Sequence, residues 1–203
     1  MAVEPGGEGS LRVHHDRALI AEATSSPAPP ALEIPGPVSM AEARAAAGRA
    51  QYFQDPVFPD CFVCGMSRRP GDGLRIFPGP VPGRGLWAAP WTPEPSVSGP
   101  DGRVWPEVAW AALDCPSGIA AAEGAGLGPG TVVVLGRMSA SLRALPAPGD
   151  QCRVIAWPGG RDGRKVTAGS ALLGPGGEVL AVATAVWITV PRPVPALAAE
   201  GAS

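Results

Sequence analysis

VWPEVAWAALDCPSGIAAA, residues 104–122, is the stretch whose reading decides the fold. It is rich in alanine, and Val108, Ala112, Cys115 and Ile119 recur at three- and four-residue spacing. That pattern predicts an amphipathic helix, the one strong helix in the back two thirds of the chain. Pro106 suits a first turn, where its missing N–H is not needed, and Glu107 beside it is favoured by the positive end of the helix dipole. Glu107 and Asp114 stand close to two helical turns apart, so both carboxylates, with Trp110 between them, are expected on one side. Pro116 removes an internal hydrogen bond and crowds the carbonyl four residues back. A kink or a restart is therefore expected just after Asp114.

Strand-like sequence lies on both sides of this helix. Upstream, LRIFP (74–78) and GLWAAPW (85–91) read as short extended runs between Pro/Gly turns. Downstream, TVVVLGRMSASLRAL (131–145) alternates, with Val132, Val134, Met138, Ala140 and Leu142 on one face and Arg137, Ser139, Ser141 and Arg143 on the other. QCRVIAW (151–157), RKVTAGSALL (164–173) and EVLAVATAVWITV (178–190) follow, joined by the turns PGGRDG (158–163) and GPGG (174–177). Such meander connections predict an antiparallel sheet. The last strand is apolar on both faces: Val179, Ala181, Ala183 and Ala185 on one, Leu180, Val182, Val186 and Ile188 on the other. Alanines let a helix approach closely, so the helix is assigned to their side. The bulkier side needs a second layer, from the N-terminal segment or from another subunit.

The front of the chain is different. LRVHHDRALIAEA (11–23) reads as a hairpin turning at Asp16-Arg17, too small to stand alone. Residues 24–38 are a proline-rich connector. Ser39 opens a helix to about Phe53, because Ser39 and Glu42 match a capping box before an alanine-rich run. Next comes Cys61-Phe62-Val63-Cys64-Gly65. Two thiolates at this spacing can chelate one metal ion as half of a zinc knuckle, but a structural zinc wants four ligands and Cys115 and Cys152 are isolated in sequence. A site would then require two chains to pool their knuckles. The favoured reading is a tight turn with small buried sulfurs, and neither a metal nor a cofactor is assigned.

Composition bounds the function classes. With 203 residues, 45% hydrophobic and 17% charged, the chain can bury one good core plus an appendage. The 28 glycines and 26 prolines forecast many turns and few long helices. A net charge of −2 without a basic block argues against nucleic acid as a partner. No apolar run approaches the roughly 20 residues that span a bilayer, and the N-terminus lacks a basic and apolar leader, so a cytoplasmic location with four reduced cysteines is expected.

Two short strands, a helix and a long antiparallel meander resemble the hotdog fold of acyl-thioester enzymes. The resemblance covers about residues 61–190. CFVCG (61–65) followed by DGLRIFPGP (72–80), WPEVAWAALDCPSG (105–118) and GRDGRK (160–165) are similar to a bacterial group of thioesterase-like hotdog proteins, mostly of unassigned substrate. It implies an α+β chain: a curved antiparallel sheet of five or six strands wrapped around one central helix. It further implies residues 1–60 as the partial remnant of a first repeat, 61–191 as the hotdog domain, and 192–203 as a flexible tail. Hotdog domains commonly pair edge to edge, so a homodimer is expected.

The implied substrate is an acyl-CoA or acyl-carrier-protein thioester. His14 and His15, the only histidines, lie outside the main domain, which leaves a carboxylate to do the chemistry. In similar thioesterases resembling the phenylacetate-pathway type, an acid on this helix is base or nucleophile, and Asp114 matches its position. Glu107 would assist. Amides at the helix start would polarise the thioester carbonyl, yet Val104-Trp105-Pro106 stands where those enzymes carry a His-Gly-Gly-like run. Arg161, Arg164 and Lys165 are candidates for the phosphates of coenzyme A or a pantetheine arm, Arg137 for a partner of Asp114 or Glu107, and Trp110 for stacking on a ligand. Against these roles stand solvated charges on a hairpin, an exposed arginine and a core aromatic. A non-catalytic acyl-thioester binding module and a structural homo-oligomer with a vestigial pocket remain open.

Overall fold

The computed structural model describes residues 1–7, 9–26, 32–128 and 130–192. The expected tail lies outside the described residues from position 193, and the proline-rich connector lies outside them over 27–31. The chain opens with three antiparallel strands, β1 (Ala2–Pro5), β2 (Ser10–His15) and β3 (Ala18–Thr24). β2 and β3 form a hairpin turning at Asp16-Arg17, with Asp16 in the left-handed region, and β1 adds a third strand to it. Every residue of β1 and β3 is exposed.

α1 (Met40–Ala47) starts at the expected capping box: Ser39 Oγ accepts from the Glu42 N–H, and Glu42 accepts from the Ser39 N–H at 2.8 Å. It stops well short of Phe53. Gly48 caps it, and a separate 3₁₀ turn covers Gln51–Gln54.

The main sheet has six antiparallel strands. In chain order they are β4 (Gly79–Val81), β5 (Leu86–Trp91), β6 (Thr131–Leu142), β7 (Cys152–Asp162), β8 (Lys165–Leu173) and β9 (Val179–Pro191); in space they run β4-β5-β7-β8-β9-β6. α2 (Pro106–Gly124) lies across one face. This is the α+β hotdog arrangement, with six strands around a central helix.

α2 runs without a restart through Pro116, whose ring is fully buried. Hydroxyls reach the carbonyls beside the proline: Ser170 Oγ of β8 donates to the Leu113 carbonyl at 2.9 Å, and Ser117 Oγ donates to the Asp114 carbonyl at 2.8 Å. Around its buried side, Val108, Ala112 and Leu113 meet Ala89, Val154, Leu172, Ala181 and Ala183 of the sheet. Farther along, Ala121 meets Ala185 and Trp187. The alanine side of β9 therefore carries α2. Two residues differ from simple alternation. Between Leu172 and Leu173 the β8–β9 register slips, so Leu180 turns inward with the alanines while Val179 packs outward.

The opposite face gains its second layer from within the chain. Val38, Ala43 and Ala46 cover Leu86, Ala88, Ile155, Ala171 and Val182. Val186 and Ile188 lie beyond this cover and are half-buried.

Three strand assignments differ from the sequence pattern. Residues 74–78 are not a strand, because the amides of Leu74 and Ile76 donate to the Phe62 and Val63 carbonyls of the cysteine loop, with Arg75 at φ 54°. β4 begins at Gly79 instead. β6 carries an irregularity between Leu135 and Arg137, which inserts one residue and reverses the faces. Val134 consequently points away from α2, opposite Ile188, whereas Met138, Ala140 and Leu142 point toward it. β7 continues past Trp157 to Asp162, absorbing Pro158–Gly160 as a bulge, and the turn falls at Gly163-Arg164.

α1 sits on Gly79, where an added Cβ would overlap the Ala46 carbonyl. Gly79→Val is expected to push α1 off the sheet and lower stability by about 1–3 kcal/mol, read as a shifted urea midpoint.

Candidate functional site

Glu107, Trp110 and Asp114 share the side of α2 turned from the sheet, as their spacing requires. Glu107 and Trp110 are exposed; Asp114 is half-buried. Burial, with the Cys61 sulfur nearby as a lesser cause, pushes the Asp114 carboxyl up to about 6. Its Oδ1 is buried without a hydrogen-bond partner among the described residues. At the helix start, the amides of Val108 and Ala109 both donate to the Trp105 carbonyl, at 3.0 and 3.1 Å, and the Trp105 amide donates to Val97. Pro106 has no N–H. The first turn thus has the Glu107 amide left to offer a ligand.

Arg137 does not join these acids. Beyond the β6 bulge it pairs with Val186, on the face opposite α2, and it is exposed. Arg161, Arg164 and Lys165 gather at the β7–β8 hairpin tip, all exposed. Arg161 Nε donates to the Gly163 carbonyl at 3.2 Å and Arg164 Nε to the Thr189 carbonyl at 3.1 Å, so two of the three cations are partly engaged with backbone.

A cavity of about 430 Å³ opens instead beside the second half of α2. Tyr52, Cys61, Cys115, Ile119, Glu123 and Trp187 are among its walls; neither Asp114 nor Glu107 is. Gly118 on its floor leaves no room for a Cβ, which would lie 2.9 Å from the Trp187 ring. Trp187 Nε1 donates to Ser117 Oγ at 3.0 Å, fixing that ring. Glu123 accepts from Trp87 Nε1 at 2.5 Å through Oε2, while its Oε1 is buried with no partner among the described residues. At the rim, Arg192 pairs with Asp55 at 2.7 Å.

Cys61, Cys64 and Cys115 converge there, their sulfurs all within 4.8 Å of one another, and Cys61 Sγ lies 3.5 Å from Cys115 Sγ. The thiols of Cys115 and then Cys64 donate toward Cys61 and hold it far below the usual thiol range. Cys115 is pushed well above that range by the same contacts and by burial. For Cys64, a hydrogen bond from Cys115 works downward, but the Cys61 sulfur and burial outweigh it and push the thiol up to about 12. The cluster thus favours one thiolate on Cys61, served by two S–H donors. Spacing alone leaves Cys115 isolated, 54 residues from Cys61. Gly65 marks only the tight turn around Cys61, where a Cβ would lie 2.6 Å from the Cys61 amide nitrogen and the Pro59 carbonyl, and nothing in the sequence pointed to Cys115. Glu123 and Trp187 carried no signal either.

No protein-family model and no curated protein matches the chain. Among solved structures it is similar to a thioesterase of Haemophilus influenzae, at 14% identity and a TM-score of 0.55, over 65% of this chain and 90% of that one. It is also similar to a thioesterase superfamily protein at 19% identity and a TM-score of 0.50, over 57% of this chain and 54% of that one. The likeness is one of fold: the chain has the hotdog fold.

Trp87→Phe would leave both Glu123 oxygens unpaired in the cavity wall. The variant is expected to lose about 1–3 kcal/mol at neutral pH, measured by urea denaturation followed by tryptophan fluorescence.

Proposed function

We propose that this protein hydrolyses an acyl thioester carried by coenzyme A or an acyl carrier protein, with Asp114 as the base that activates water or as the nucleophile. The observation that carries the reading is the Asp114 carboxylate itself. It is half-buried, one oxygen has no partner among the described residues, and burial raises its pKa to about 6, near the range in which a carboxylate serves as a general base at neutral pH. It sits on the side of α2 turned from the sheet, two turns from Glu107 and one turn from Trp110, where a ligand can lie along the helix. In this reading Trp110 stacks on the ligand, Glu107 orients it, and the hairpin cations Arg161, Arg164 and Lys165 meet the phosphates. The hotdog fold supports the substrate class by analogy of fold.

The reading includes a homodimer. Among the described residues β6 is an edge strand with one side unpaired, and Val134 and Leu135 on it are exposed at 41% and 43%. Pairing β6 with a second copy would satisfy that edge. Light scattering should give twice the chain mass; a monomer at micromolar concentration would remove this part of the proposal.

One observation favours a second reading, a module that binds acyl thioesters without turning them over. Pro106 and the carbonyl of Trp105 together leave the helix start short of amides for an oxyanion. Thiol release from acyl-CoAs of graded length separates the two. Under the hydrolase reading Asp114→Asn keeps the fold and lowers turnover by about 10²- to 10⁴-fold, whereas Glu107→Gln costs less. Full activity in a folded Asp114→Asn protein would end the mechanism, and an inactive wild type that still binds acyl-CoA would establish the module.

A further inference from the structure

Three sulfurs from two separate parts of the chain meet at one point, and the turn that carries two of them is shaped around the first. The Gly65 amide donates to the Cys61 carbonyl at 2.8 Å and the Ser67 amide to the Pro59 carbonyl at 2.9 Å, closing the loop tightly. The amides of Cys64 and Val63 point at the Cys61 sulfur. Leu74 and Ile76 then donate to the Phe62 and Val63 carbonyls, at 2.8 and 2.9 Å, so the loop is braced from behind. Cys115 arrives from the middle of α2, whose position the sheet core fixes independently.

We propose that Cys61, Cys64 and Cys115 bind one zinc ion, with its fourth coordination position open to the cavity beside α2. Zinc–sulfur bonds of about 2.3 Å at tetrahedral angles set sulfurs about 3.8 Å apart. The separation of 3.5 Å between Cys61 and Cys115, with all three sulfurs inside 4.8 Å, fits three corners of that tetrahedron and is far from the roughly 2.05 Å of a disulfide. Three convergent thiolates select a soft or borderline ion, and zinc is the one that takes a tetrahedral sulfur set without redox chemistry. Backbone amides aimed at a sulfur are the outer support that holds a thiolate ligand in place.

The fourth corner has no protein ligand in this group, which contains three sulfurs and no carboxylate among the described residues. All three cysteines line the cavity, so a water or a small soft or anionic ligand can complete the ion from that side. The ion would fasten the loop at 58–65 to α2. Cys152 is the internal control, because it is fully buried in the sheet core and stands outside the cluster.

The full-length protein, purified under reducing conditions from zinc-supplemented cells, is assayed for metal by mass spectrometry. About one zinc per chain is expected. Reconstitution of the apoprotein with cobalt(II) should give thiolate-to-metal charge transfer and the strong visible bands of a tetrahedral ion, an intensity set by three thiolates. Zinc should protect Cys61, Cys64 and Cys115 from alkylation. Cys64→Ser and Cys115→Ser should each weaken zinc binding by at least about tenfold, while Cys152→Ser leaves it unchanged. Less than about 0.1 zinc per chain together with a featureless cobalt spectrum would overturn the proposal. So would a Cys61–Cys115 disulfide in the reduced preparation, or full zinc retention by a folded Cys115→Ser protein. Because wild-type cobalt spectra and alkylation suffice, a variant that fails to fold leaves the test intact. Metal content is independent of thioester turnover, so either reading can fail without the other.

Discussion

Everything in this molecule follows from pressing one helix into a curved sheet closely enough to bury most of its circumference. That approach demands small residues at the contact. Ala109, Ala112, Ala120 and Ala121 on α2 and Ala181, Ala183 and Ala185 on β9 supply them, and all are essentially inaccessible. Gly118 goes further, because even a methyl group there would collide with the Trp187 indole. Close approach strengthens dispersion contacts, but it also strips water from every backbone group that lacks a partner. Pro116 adds to that cost by leaving the turn around Ala112 short of one donor. The hydroxyls of Ser170 and Ser117 bond the next two carbonyls, of Leu113 and Asp114, and so add donors to the turn that the proline weakens.

Much of this was legible from residue periodicity. The helix at 106–124, the capping box at Ser39, the antiparallel meander and the alanine face of β9 each follow from a short-range rule that the tertiary structure obeys. What escaped was set by irregularities that alternation cannot announce. A single extra residue near Gly136 reverses Val132 and Val134 relative to Met138, while Arg137 keeps the face opposite Met138 that alternation gives it. A second slip turns Leu180 inward. Residues 74–78 have strand-like side chains, yet the cysteine loop uses their amides first.

The candidate site divides in the same way. Helical geometry alone places Glu107, Trp110 and Asp114 on one side. The cavity is different, because its walls come from the 3₁₀ turn at 51–54, the cysteine loop, the end of α2 and the end of β9, and no local rule ties those segments together. Cys115 belongs to this second group. Its company is decided by where α2 is pinned in the core.

Adjacent residues on α2 therefore face different surroundings. One step of about 100° around the helix separates Asp114, on the side turned from the sheet, from Cys115, on the cavity side. Cys152 shows what a cysteine used only for packing looks like in this chain: no exposure, apolar neighbours, and a thiol pushed up to about 12 by burial. The other three differ in what surrounds the sulfur rather than in burial alone, since Cys64 is buried as well. Cys61 and Cys115 keep some exposure to a cavity, their sulfurs converge with that of Cys64, and Cys61 receives amide hydrogen bonds. A void filled for shape alone is better served by methyl groups, which carry no desolvation cost. Sulfur at all three converging positions marks a place where the atoms matter for what they can hold.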